Sequence, residues 1–509
     1  MKTCVVRRRF YPSEAAGFAV TINTEPNFGT PKACMVFYVE NAALPDAFDN
    51  TTSFRTIGVG FAGPLGDGTT TIQSRCTYSI LQDNVSSTGA TFARRQSQLN
   101  QRLIFTGNTG GAVSWQATGA AFSNEALTVT MTNTANVTNL DCIFTFFTGS
   151  ELTVGCGDST FPNTAAGTRA YSGLNFTPDL VFVAASIAPS GAGVTDDFRF
   201  AFGAATRSPA LQKGIYYHVE PGATSDPGTL SSSNTMITYS TSNVIGPYTQ
   251  TISNIQSGGW TFTSSDAAIA SNTGYIHLAL QSSPDDYNLV DFTTFTGTGI
   301  SFTGTGISSI PECIVGASTN ATTSNTRVTT APGSEGINFF GGSMSENVRL
   351  FDGIGTIQTN SAGTLVTGTG TFFLRLVPGY NLYQQNGTLI GTIGNVGTAT
   401  SCVLTSNAAS TLAAGTSFCY SVPGQYCMTF GTDDGVATTA VVSGVSRKLY
   451  LTQQISSGLG ATLDLVDLND FDTRPGYELE YLTNSGTSKL GFAVSFRSEQ
   501  KRRRRGSVS

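Results

Sequence analysis

The chain has 509 residues, enough for about three or four domains of ordinary size, with only 12% charged residues and a formal net charge of −6. Its 39% apolar content, including 33 Phe and 17 Tyr, excludes a disordered chain, and no apolar run approaches the ~20 residues of a membrane span. Short β-branched and aromatic runs broken by Gly, Asn, Asp and Ser predict an all-β protein, with no amphipathic helix longer than two turns.

The chain begins Met1-Lys2-Thr3-Cys4-Val5-Val6-Arg7-Arg8-Arg9, charged too early for a signal peptide. Residues 1–22 are therefore expected to form a basic arm. A first repeat is assigned to 23–165. It opens at Pro31-Lys32-Ala33-Cys34-Met35-Val36-Phe37 and closes on Cys142-Ile143-Phe144-Thr145-Phe146-Phe147.

A second repeat, 166–300, says nearly the same thing. Pro178-Asp179-Leu180-Val181-Phe182-Val183 is expected as a strand buried on both faces. In its closing strand Ile276, Leu278 and Leu280 share one face and Tyr275, His277 and Ala279 the other. That pattern predicts a sheet packed on its apolar side. Each of these repeats holds a single tryptophan, Trp115 and Trp260, 84 and 82 residues after its proline. The matched spacing predicts two core residues in equivalent positions.

The third repeat, 301–344 and 424–498, opens at Pro311-Glu312-Cys313-Ile314-Val315 and closes with Leu490, Phe492, Val494 and Phe496 in alternation. It has no Trp, and Phe471 stands nearest to one in place. Residues 345–423 interrupt it. Their short runs and the Asn386-Gly387 turn predict a compact barrel of four to six strands. Such an insertion at a loop tip is expected to be an appendage independent of its host's core. Residues 499–509 form a basic tail with Lys501, Arg502, Arg503, Arg504 and Arg505. The fold class expected is thus three tandem β-sandwich-like domains with a small β-barrel inserted in the third.

Without the nine terminal cations, 18 basic residues face 33 acidic ones, so the body is near −15. An acidic body would repel DNA, so the tail is read as an inter-subunit arm and nucleic acid as a partner is disfavoured. Nine cysteines form no CxxC pair and read as buried reduced thiols, which places assembly in a reducing compartment. The two histidines, His218 and His277, are too few for a metal site and read as satisfied strand residues. Asp196-Asp197, Asp285-Asp286 and Asp433-Asp434 lack the alternating spacing of a calcium loop and read as solubilising loop acids. No motif implies a catalytic residue or a cofactor, and none is expected.

The Phe-Thr-Pro-Asp-Leu-Val opening (176–181) and the Gly-Gly-Trp-Thr-Phe-Thr run (258–263) resemble a repeated module of tailed-bacteriophage virion proteins. The Val-Thr-Gly-Thr-Gly-Thr-Phe run, continuing to Gly-Thr-Ile (366–393), is similar to a small β module of the same kind of protein. In the first repeat Lys32-Ala33 stand where Asp-Leu would be, which leaves Asp179 without a shared role. The resemblance implies a non-enzymatic virion component assembled in the host cytoplasm. Its partners would be copies of itself, other virion proteins and a host surface glycan or receptor. A tail-associated role in host attachment is favoured over a capsid decoration or head fibre. A different class, a carbohydrate-binding protein, would use Trp115, Trp260 or the tyrosines as sugar platforms.

Overall fold

The apolar runs fold as strands because β-branched and aromatic side chains suit a pleated surface packed on both sides. The computed structural model describes residues 1–497 apart from 13–16, 25–27, 41–46, 52–54, 83–91, 98–100, 108–112, 134–137, 165, 188–194, 197, 221–225, 240–247, 266–272, 295, 304–310, 322–335, 344–349, 354, 372, 374–375, 377–379, 387, 422–424, 433–440, 447–449, 457, 471–475, 484–485 and 487. Among the described residues there are forty strands, one 3-10 turn at Pro284–Asp286, and no α-helix.

The first unit starts with β1 (Lys2–Phe10), β2 (Phe18–Asn23), β3 (Ala33–Glu40), β4 (Ala47–Thr51), β5 (Arg55–Pro64) and β6 (Ile72–Gln82). It continues with β7 (Phe92–Ser97), β8 (Arg102–Gly107), β9 (Val113–Ser123), β10 (Ala126–Asn133) and β11 (Leu140–Thr148). The second contains β12 (Thr153–Thr160), β13 (Thr168–Tyr171), β14 (Leu180–Ala185), β15 (Thr195–Asp196), β16 (Phe198–Thr206) and β17 (Leu211–Glu220). Then come β18 (Asp226–Ser232), β19 (Ile237–Tyr239), β20 (Tyr248–Gln256), β21 (Gly259–Ser264) and β22 (Gly274–Gln281).

The third unit opens with β23 (Tyr287–Thr293), β24 (Gly299–Thr303), β25 (Cys313–Thr319) and β26 (Gly336–Ser343). The insertion follows as β27 (Leu350–Asp352), β28 (Thr356–Thr359), β29 (Leu365–Thr369) and β30 (Asn381–Gln384). It ends with β31 (Leu389–Thr398), β32 (Ser401–Leu404), β33 (Leu412–Thr416) and β34 (Phe418–Ser421). The third unit resumes with β35 (Gln425–Thr432), β36 (Val441–Ser446), β37 (Tyr450–Ser456), β38 (Gly458–Asp470), β39 (Tyr477–Thr483) and β40 (Leu490–Phe496).

Each unit is a sandwich of one large and one small antiparallel sheet, and the strand order is the same three times. The large sheets run β1-β11-β3-β5-β6-β7, β12-β22-β14-β16-β17-β18 and β23-β40-β25-β26-β35-β36. The small ones run β2-β10-β9-β8, β13-β21-β20-β19 and β24-β39-β38-β37. Two sequence boundaries move as a result. The expected N-terminal arm is β1, the edge strand of the first large sheet, paired with β11 over its whole length. β12, assigned to the first repeat, and β23, assigned to the second, each open the next unit's large sheet.

The large sheets are covered on both faces, not one. Outward faces meet the small sheets in three separate cores, around Trp115, Trp260 and Tyr477. Inward faces of all three units merge into a single core. At its centre Phe37 stacks on Phe339 with centroids 4.3 Å apart, and Phe202 meets them edge-on at 5.2 and 5.7 Å.

Those three rings do not come from equivalent positions. Counting from Pro31, Pro178 and Pro311, Phe37 corresponds to Ala184 and Ala317. Across the ladder these residues face Val59, Phe202 and Phe339. The first unit therefore holds its large side chain on β3, while the other two hold theirs on the next strand. The neighbouring pair on the outer face shows the same exchange. Val36 faces Gly60 and Val183 faces Gly203, whereas in the third unit Gly316 faces Phe340. A Cβ on Gly60 or Gly203 would collide with the carbonyl of Leu103 or Met236, and one on Gly316 with the Phe340 ring. The larger side chain of the pair changes strand between units, one way for a facing pair to stay densely packed.

The units are also tied by exchanged strands. β4 of the first unit adds to β36 of the third. β15 of the second adds to β7 of the first, Asp196 opposite Arg94. The insertion forms one eight-stranded sheet, β27-β34-β30-β31-β32-β29-β28-β33, a half-barrel with more than the four to six strands expected.

Phe37→Ala should cost about 3–5 kcal/mol, the usual penalty for emptying an aromatic site in a core. Adding Val59→Phe gives the first unit the arrangement of the other two and should recover most of that loss in urea denaturation.

Candidate functional site on the inserted barrel

The three landmark prolines are buried and play one role. Each precedes the residue whose N–H starts a large-sheet strand: Lys32 to Phe147 O at 2.8 Å, Asp179 to Leu280 O at 2.8 Å, Glu312 to Phe496 O at 2.7 Å. Proline supplies no N–H, so pairing with the closing strand begins one residue later.

Trp115 and Trp260 are both 0% exposed, which removes them as sugar platforms. They are not equivalent. Trp115 lies on β9, and its indole N–H donates to the Thr138 carbonyl at 2.9 Å. Trp260 lies on β21, stacked on Tyr171 at 4.6 Å. The alternation of buried positions matches Trp260 to Leu127 on β10 and Tyr477 on β39. Phe471 and the basic tail, Lys501, Arg502, Arg503, Arg504 and Arg505, lie outside the described residues.

His218 on β17 and His277 on β22 are separated by β16 and β14, about 14 Å at ordinary strand spacing, too far to share a metal ion. His277 lies over Gly157, where a Cβ would approach within 2.9 Å of the ring. Burial pushes its pKa down to about 3. Asp286 is not a solubilising acid. It is buried and accepts from the Ser282 hydroxyl and, at 3.2 Å, from the Met1 amino group. Asp196 lies on exchanged β15, while Asp197, Asp433 and Asp434 are outside the described residues. All nine cysteines are buried as thiols, and burial pushes those of Cys76, Cys156 and Cys402 up to about 12.

Glu40 ends β3, at the root of the segment leading to exchanged β4. It is fully buried and accepts the Thr106 hydroxyl at 2.8 Å. Burial outweighs its hydrogen bonds and the nearby Arg55 charge, raising its carboxyl to about 7.

The inserted barrel is nearly free of charge. Its own core runs from Ile357 to Phe418 but includes Tyr11 of the first unit. The Tyr380 hydroxyl donates to the Arg7 carbonyl at 2.9 Å. It is therefore seated on the first unit, not independent of the body. Between Asp352 and Asp433 the sequence holds one charged residue, Arg375. The described outer surface is accordingly mostly Thr, Ser, Asn, Gln, Ala and Gly, with Leu389 45% exposed. Leu365 (53% exposed) and Val403 (38%) lie directly opposite each other on β29 and β32. They form a small exposed apolar pair on a sheet poor in charge.

No protein-family model and no curated protein sequence matches the chain. The charge-free stretch was visible in the sequence and is the signal that points to the barrel. The Leu365–Val403 pairing was not, because it depends on which strands adjoin.

Glu40 titrates near 7 when folded and near 4.5 when unfolded, so between these values the native state binds the extra proton. Stability from this group is present below pH 4.5 and lost as pH rises to 7. Glu40→Gln should thus stabilise the protein at pH 8, by about 3 kcal/mol at most, and leave it nearly unchanged at pH 4. Denaturant melts of both proteins at the two pH values check this.

Proposed function

We propose that the protein is a non-enzymatic structural component of a tailed-phage virion, tail-associated and engaged in host attachment through its inserted barrel. One observation supports this reading above the others. A single chain builds three sandwiches of one strand order on a shared core, and mounts on them a barrel that has almost no charge and an exposed apolar pair. Such a frame is rigid without help from partners, and an uncharged face can lie against another surface without desolvating ions. The buried tryptophans speak against the carbohydrate-binding alternative in the form that used them.

Negative-stain images of virions labelled with an antibody raised against the barrel test the proposal. Label at the tail, together with slower adsorption to host cells, is the expected result. Label confined to the head would replace attachment by capsid decoration, and unlabelled virions would overturn the reading. Leu365→Ser with Val403→Ser should leave the melting curve unchanged within about 0.5 kcal/mol and reduce adsorption.

A further inference from the structure

The shared strand order puts the same hairpin in all three units, and each unit finishes it differently. In the first, the turn after β5 is covered by the second unit. A Cβ on Gly66 would run into Leu174, and the Asn175 N–H donates to the Gly66 carbonyl at 2.7 Å. In the third, the same turn between β26 and β35 holds the whole inserted barrel. In the second it is the short turn between β16 and β17, and beside it lies a cleft of about 130 Å³.

The cleft is fixed by its own bonds. Residues of the β16–β17 turn form one wall and β20 of the small sheet the other. Gln212 of β17 ties the walls together. Its Nε2 donates to the Ile252 carbonyl at 3.2 Å, and its Oε1 accepts the Ile252 N–H at 2.8 Å. Just after Ile252 the ladder with β21 shifts, so Ser253 has no cross-strand partner. Such a bulge re-aims the side chains beside it. Arg207 is anchored to Asp179, which is buried. Its Nε donates to Asp179 Oδ1 at 2.9 Å and its Nη2 bonds the same oxygen, while Oδ2 accepts the Ser282 N–H at 3.0 Å.

The lining is part apolar and part polar. Leu211 is 39% exposed and lines the cleft with Ile252 and Ile255. Among the described residues Arg207 Nη1 has no acceptor. Asn254 donates to Gln256 at 2.9 Å, and its Oδ1 has no donor among the described residues. The Ser253 hydroxyl donates to the Thr261 carbonyl at 3.2 Å and keeps its lone pairs. An anion would use donors alone, and the Arg207 charge is already answered by Asp179. A wholly apolar ligand would bury these polar groups unpaired. β16, β17 and β20 each have a strand on both sides, so no sheet edge is open to an extended peptide. Hydroxyls, which donate and accept at once, match the set.

We propose that this cleft binds a single neutral pyranose ring, with its C–H face on Leu211 and its hydroxyls on Arg207, Ser253 and Asn254. The site uses neither tryptophan and does not involve the barrel. An aliphatic wall in place of an aromatic one makes the binding weak.

The test is saturation-transfer difference NMR on the whole protein, with the neutral methyl pyranosides of glucose, galactose, mannose and N-acetylglucosamine. At least one should receive saturation, most strongly at its ring C–H protons. Asn254→Ala and Leu211→Ser each change an exposed side chain, which leaves folding intact, and each should weaken that binding about tenfold. The methyl glycoside of glucuronic acid, which carries a carboxylate, should bind no better than that of glucose. No transfer to any of the four, unchanged transfer in either variant, or a preference for the glucuronide would overturn the proposal. The measurement needs no virion, so its failure and that of the attachment reading are separate results.

Discussion

The rest of the structure depends on burying the inward face of each large sheet against the other two. Phe37, Phe202 and Phe339 meet at the centre, one from each unit. No unit alone could cover that face. An isolated sandwich would expose Leu180, Phe182, Phe200 and Phe202 to water, an apolar patch far larger than a soluble monomer tolerates. At about 25 cal/mol per Å² of apolar surface, joining these faces is a large favourable term for the chain.

Several features follow from that constraint. Strands such as Ala33–Glu40 and Leu180–Ala185 are buried at every position because they are covered twice. The exchanged strands β4 and β15 lie where the sheets already adjoin, and they cover edges that would otherwise offer unpaired N–H and C=O groups to another chain. Terminal cations are drawn in too. Arg7 and Arg9 sit at the margin of the shared core, tolerable there only because Asp141 meets them.

How much of this was legible in the sequence depends on the range of the interaction. The all-β class, the doubly buried strand after Pro178 and the alternating faces of the closing strands were readable, because period two is a local signal. The near-equal Pro-to-Trp spacings misled. A core layer conserves volume and burial, so Trp260 corresponds to Leu127 and Tyr477 while Trp115 stands on another strand. The large-for-small exchanges at Phe37/Val59 and Gly316/Phe340 hide the repeat further, since each is visible only when both strands are compared. The run at Arg7–Arg9 read as an arm because its counter-ion lies 132 to 134 residues away. The barrel's lack of charge was open to view, but its seat on β1 was not, as no local pattern announces a contact between residues 7 and 380.

If three units share one core, none should unfold before the others, and the two tryptophans allow this to be read unit by unit. In Trp260→Phe the remaining indole reports the first unit, and in Trp115→Phe the second. Urea unfolding of each variant, followed by fluorescence and by far-ultraviolet circular dichroism, measures one unit against the whole fold. The shared core predicts coincident fluorescence and dichroism transitions in both variants. A fluorescence transition displaced from the dichroism curve in either one would contradict it.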